Sequence, residues 1–116
     1  MFNFERLDVW QESVAYAGQI YAATRSFPAD ERFGPTSQIR RAATSVASNI
    51  AERSARPPAD FAKFVGHATG SLYETITQAV IARNEGFLSA EAFTSIHASA
   101  EEIARMLSGL RKSLGE

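Results

Sequence analysis

Four stretches of this chain repeat apolar residues at intervals of three and four, and a proline or glycine stands in every gap between them. No other feature constrains the fold as much. A 3.6-residue period puts the repeating side chains on one face of an α-helix, whereas a strand needs alternation at every second residue. The spacing predicts helices over 8–25, 36–54 and 59–85, and a fourth from an N-cap at Ser89 to about Leu114. The stops have physical causes. Pro28, Gly34 and Pro35 end the first helix and delay the second, because proline lacks an N–H and clashes with the preceding turn. Pro57 and Pro58 bias Arg56 away from helical geometry, and Gly86 suits the left-handed position that closes a helix. Four helices on short links predict an all-α, antiparallel up-down four-helix bundle, with residues 1–116 as a single domain.

The helices differ in how much of their circumference is apolar. Helix 4 carries a narrow seam of Phe93, Ile96, Ala100, Ile103, Leu107, Leu110 and Leu114 with a charged back, the mark of one buried face. On that back Glu101 and Arg105 have the spacing of a helical ion pair. Helix 2 repeats Ile39, Ala42, Ala43, Val46 and Ile50, and helix 3 repeats Phe61, Phe64, Val65, Ala68, Leu72, Ile76 and Ala79. On helix 3, Gly66 and Gly70 suggest a close approach by another helix, or neutral positions. Helix 1 has two stripes: Trp10, Val14 and Tyr21, and, about 120° around, Val9, Tyr16 and Ile20. Together they span roughly half the helix, wider than the ~100° face that one core needs. A surplus stripe of large apolar groups predicts a homo-oligomer, with Val9, Tyr16 and Ile20 at the subunit contact. The alternative is a loop over 26–35 that folds back over the second stripe through Phe27 and Phe33.

The chemistry-bearing residues are few. The chain has no cysteine, so it has neither a disulfide framework nor thiolate chemistry. His67 and His97 lack the Glu-x-x-His spacing of a di-iron bundle and the paired spacing of a zinc site. No phosphate-binding glycine loop and no nucleophile elbow occurs. The expectation is therefore no enzyme, no cofactor and no metal. The rival reading is a ligand or catalytic site between helices 2 and 3, with Glu52, Glu74 and His67 as candidates. Charge pairing of Glu52 and Glu74 with Arg41 or Arg53 accounts for the same residues.

The basic residues point toward partners. Arg40, Arg41, Arg53 and Arg56 cluster on helix 2 and its exit, with Glu52 as the one acid among them. Such a cluster suits contact with RNA or DNA, and equally suits salt bridges. The formal net charge of −1 runs against a dedicated phosphate binder, whose affinity comes from neutralising phosphates. No aromatic residue is interleaved with these arginines along the helix, so a stacking platform for single strands is not expected. The apolar runs fall short of the ~20 residues that cross a bilayer, so no membrane partner is expected and the cytoplasm is the expected compartment.

Several segments together resemble a known family. They are Leu7-Asp8-Val9-Trp10-Gln11, Glu31-Arg32-Phe33-Gly34, Gln38-Ile39-Arg40-Arg41-Ala42-Ala43, Ser45-Val46-Ala47-Ser48-Asn49-Ile50-Ala51-Glu52 and Gly70-Ser71-Leu72-Tyr73-Glu74. The chain resembles the four-helix-bundle family of proteins encoded in 23S ribosomal RNA intervening sequences, which also contains the accessory variability protein of diversity-generating retroelements. That resemblance implies a homopentamer of four-helix protomers without enzymatic activity. For the retroelement branch it implies binding of a reverse transcriptase and nucleic acid through a basic surface. Arg40 and Arg41 match the family's arginine pair, and Asn49 and Glu52 match its Asn-x-x-Glu. Arg53 stands where the family usually has glycine. The function expected is a non-catalytic, oligomeric scaffold for a nucleic-acid or protein partner.

Overall fold

The computed structural model describes residues 1–114. Four α-helices carry the chain: α1 (Asp8–Thr24), α2 (Pro35–Arg53), α3 (Phe61–Asn84) and α4 (Ala90–Lys112). Single 3-10 turns lie at Asn3–Arg6, Ala29–Glu31 and Pro58–Asp60, and no strand occurs among the described residues. The fold is all-α, as the periodicity predicts. Its extents of 42 × 23 × 23 Å are those of a rod little longer than its longest helix, since 24 residues at 1.5 Å each give ~36 Å.

The helix ends follow local chemistry. Pro35 takes the first position of α2, where its missing N–H costs nothing and its fixed φ suits the helix. Ser89 caps α4, its Oγ accepting from the Ala92 N–H at 3.1 Å. Asp8 lies in the first turn of α1, where its charge suits the helix dipole, and no side chain caps that helix. Gly86 has φ 81°. Phe87 N donates to the Ala82 carbonyl at 2.8 Å and Gly86 N to the Arg83 carbonyl at 3.0 Å, the Schellman arrangement that ends a helix on a left-handed residue.

Each helix packs on its neighbours in sequence, and α1 closes the ring against α4. One core cluster runs through all four, with Tyr16, Ile20, Ile39, Val46, Ile50, Leu72, Ile96, Ile103 and Leu107 fully buried. Ala43, Ala68 and Ala100 lie among them and let the helix axes approach. The α4 seam is inside as expected. Across the middle of the bundle, the Tyr16 hydroxyl meets Thr75 Oγ1 at 2.6 Å. Among the described residues no helix is long and apolar enough to cross a membrane.

The two stripes of α1 are now assigned. Val9, Tyr16 and Ile20, expected at a subunit contact, are buried within the protomer. They are the stripe that completes the core, together with Ser13 and Thr24, whose hydroxyls are satisfied by the carbonyls of Val9 and Ile20 one turn earlier. The other stripe faces outward: Val14 and Tyr21 are exposed. Trp10 is half-covered by Phe4, whose ring meets it edge-on at 5.3 Å. The loop over 26–35 is not what covers Val9, Tyr16 and Ile20, which lie in the core that all four helices build. Phe27 turns inward against Phe87, 5.8 Å between ring centres, but Phe33 is 88% exposed. Gly66 and Gly70 have no atom within 4 Å of where a Cβ would stand, so no helix of the protomer approaches them closely.

Candidate nucleic-acid interface

The four expected arginines do not form one patch. Arg40 and Arg53 lie thirteen positions apart on α2, which is ~20 Å at 1.5 Å per residue. At the far end, Arg53 stacks on Phe61 at 4.8 Å. Its Nε is buried without a partner, and burial lowers its pKa. Arg56 is tied to Glu52 at 2.7 Å and lies over the Phe64 ring at 5.2 Å; that ion pair raises its pKa. Glu52 is thus paired by Arg56, one turn on, rather than by Arg41 or Arg53.

At the near end Arg40 meets residues of α1, and Arg41 a residue of its own helix. Arg40 Nε donates to Thr24 Oγ1 at 2.8 Å, and its guanidinium lies 4.8 Å from the centre of the Tyr21 ring. Both partners are on the last turns of α1, so α1–α2 packing holds Arg40 in place. Arg41 is exposed and donates to Ser37 Oγ one turn back at 3.1 Å. Arg32, in the loop, lies over Phe33 at 5.0 Å. Two adjoining open cavities result. One, of about 490 Å³, is lined by Tyr21, Arg32, Phe33, Thr36, Ser37, Arg40, Arg41 and Thr44. The other, of about 320 Å³, shares Arg32, Thr36 and Arg40 with it and adds Arg25. Neither is lined by a carboxylate. Four arginines thus stand around these cavities, with Asp30 and Glu31 in the same loop outside their walls; guanidinium groups so placed attract polyanions.

Along α2 no aromatic is interleaved with the arginines, but in space Tyr21 lies against Arg40 and Phe33 against Arg32. In the sequence these two rings belong to an apolar stripe and a loop. Arg25 and Arg32, which line the cavities, are not among the site residues singled out there. The signal for Arg32 and Phe33 was their place next to Gly34-Pro35, where a loop is forced to turn. Tyr21 carries no local signal, because it reaches Arg40 through helix pairing.

The rival site between α2 and α3 is partly assembled. His67 and Glu74 line one open cavity with Ser45, Asn49, Gly66, Gly70 and Ser71, whereas Glu52 is not part of its wall. The two serine hydroxyls engage each other at 2.9 Å, and Asn49 Nδ2 donates to Ser45 Oγ at 3.0 Å. His67 meets the Phe64 ring edge-on at 5.6 Å. His97 lies on α4, 3.1 Å from Glu101; Arg105 pairs with Glu102 at 2.7 Å rather than with Glu101. No group of three or more His, Asp or Glu side chains capable of holding a metal occurs among the described residues.

Comparison with known proteins bears on most of the chain. Residues 5–109 match the family described as 23S rRNA-intervening sequence protein. The fold is similar to the crystal structure, at 1.70 Å resolution, of a protein of unknown function of the S23 ribosomal protein family from Bacteroides thetaiotaomicron. The TM-score is 0.82 and the identity 24%, over 90% of this chain and 95% of that one. No functionally curated protein is significantly similar in sequence.

Proposed function

The chain belongs to the 23S rRNA-intervening sequence protein family, and from that footing we propose that it is a non-catalytic, homo-oligomeric cytoplasmic scaffold that holds nucleic acid at the α1–α2 end of its bundle. One observation carries this reading: Arg25, Arg32, Arg40 and Arg41 converge on two adjoining cavities that no carboxylate lines. Phosphates are the ligands such a surface fits, through charge-assisted hydrogen bonds from planar guanidinium groups. The test is binding of labelled RNA and DNA across a salt series. Affinity should fall steeply as salt rises, because each neutralised phosphate releases counterions. No binding of either polymer at low salt would remove nucleic acid as the partner and leave a protein partner in its place.

We read the helices as antiparallel, up and down. The cross-helix pairs support this: Arg53 with Phe61 and Ser45 with Ser71 run in opposite senses along α2 and α3. Beside the other two connections Thr24 meets Arg40 and Arg83 meets Phe93, the contacts a chain makes where it turns back on itself. The oligomeric part of the reading rests on apolar groups left in water, namely Val14 on α1 and Tyr73, Val80 and Ile81 on α3. Two unlike apolar flanks suit a head-to-tail ring rather than a twofold dimer. The number five comes from the family resemblance alone.

A further inference from the structure

We propose that the nucleic acid held at this end is single-stranded, with unpaired bases stacking on Phe33 and Tyr21 while Arg25, Arg32 and Arg41 take the phosphates. This rests on the reading of the chain as a nucleic-acid scaffold and adds the state of the strand. Phe33 leaves 88% of its surface in water and Tyr21 leaves 42%. The protomer gains nothing by stranding a phenyl ring in solvent. Each ring is backed by a guanidinium, at 5.0 Å for Phe33 and 4.8 Å for Tyr21, and the cavity between them is open. Aromatic faces set among arginines are what unpaired bases stack on. A duplex keeps its base faces inside its own stack and offers only its backbone and groove edges.

The phosphate half of the site has its own support. Thr36 is 6% exposed, yet its Oγ1 has no hydrogen-bond partner, and it lines both cavities. It stands in the first turn of α2, a helix of 19 residues with no capping side chain and no acid in that turn. The free amides and positive dipole end of such a helix favour an anion. The Thr36 Oγ1 is itself covered in the protomer, and a rotation about its side-chain bond is what would turn it to a phosphate there. The cavities, about 490 and 320 Å³, are of the size that takes a base or a nucleotide and are too small to seat a duplex.

The experiment measures fluorescence anisotropy of a labelled pyrimidine-rich oligonucleotide, as RNA and as DNA, alone and annealed to its complement, at several salt concentrations. Phe33→Ala should fold normally by circular dichroism, because the ring is almost wholly exposed. It should weaken single-strand binding by roughly 5- to 150-fold and leave the salt slope unchanged, since the ring carries no charge. Arg41→Ala should instead flatten the salt slope by about one phosphate contact. Duplex binding as tight as single-strand binding, or a Phe33→Ala variant that binds like the parent, overturns the stacking inference and spares the scaffold reading. A Phe33→Ala variant whose mass falls in light scattering also overturns it, by showing that the ring meets a second copy of the chain. Failure of every nucleic acid to bind at low salt sinks the underlying reading itself.

Discussion

Tyr16 is a polar group placed where a bundle normally keeps hydrocarbon, and its hydrogen bond decides what it contributes. Thr75 Oγ1 has one proton, which goes to the Leu72 carbonyl at 2.6 Å. The Tyr16 hydroxyl must therefore donate in its own 2.6 Å contact with Thr75, since a threonine hydroxyl supplies a single donor. Thr75→Val should cost about 1–3 kcal/mol, because it strands a buried phenol donor, whereas Tyr16→Phe should cost about 1 kcal/mol. Urea titrations should find the double variant less damaged than the sum of the two. Strict additivity would mean that the groups do not depend on each other. Burial raises the Tyr16 pKa above its ordinary value. The unfolded chain then loses this proton first as pH rises. The contribution to stability is complete below about pH 10 and is lost as pH climbs through the folded-state value. Tyr16→Phe should show a shallower alkaline fall in stability than the parent.

At the scale of the helix, three glycines of similar appearance behave differently. Gly86 alone has a positive φ, 81°, and nothing lies within 4 Å of a Cβ there. Gly86→Ala should therefore lose about 1–2 kcal/mol through backbone conformation alone, seen as a lower melting temperature. Gly66 and Gly70 sit inside α3 in ordinary helical geometry with open space around them. Alanine at either should raise the melting temperature, adding up to about 1 kcal/mol each. If either variant instead melts lower and dissociates, the glycine is a point of close contact between subunits. The same accounting explains α4. Its seam buries Ile96, Ala100, Ile103 and Leu107 and leaves charges on the back, so Ile103→Ala should cost about 2–5 kcal/mol without altering assembly.

At the scale of the whole molecule, the outward stripes of α1 and α3 make solution mass the decisive quantity. Light scattering should give a multiple of the 12.6 kDa protomer, five times for the ring implied by the family resemblance. Val14→Glu should split the assembly and leave the helical spectrum intact, because Val14 is outside the core; a parent mass of one protomer would end the oligomer reading. Val9, Tyr16 and Ile20 are unsuitable for that experiment, since charges there would unfold the protomer. Their reassignment marks the boundary of what the sequence determined. Helical period, proline and glycine stops, the Ser89 cap and the α4 seam depend on residues within a turn or two of one another, and all were legible. The wheel of α1 also showed correctly that it has more apolar surface than one face uses. It did not settle which stripe faces inward, because both carry large apolar side chains and the choice belongs to α2, α3 and α4. The arginine–aromatic end was hidden for the same reason. Tyr21 and Arg40 are nineteen positions apart, and Phe33 takes its place from a loop whose path is set by the helices it joins. Periodicity is a property of neighbours in the chain, whereas facing is a property of neighbours in space, and only packing turns the first into the second.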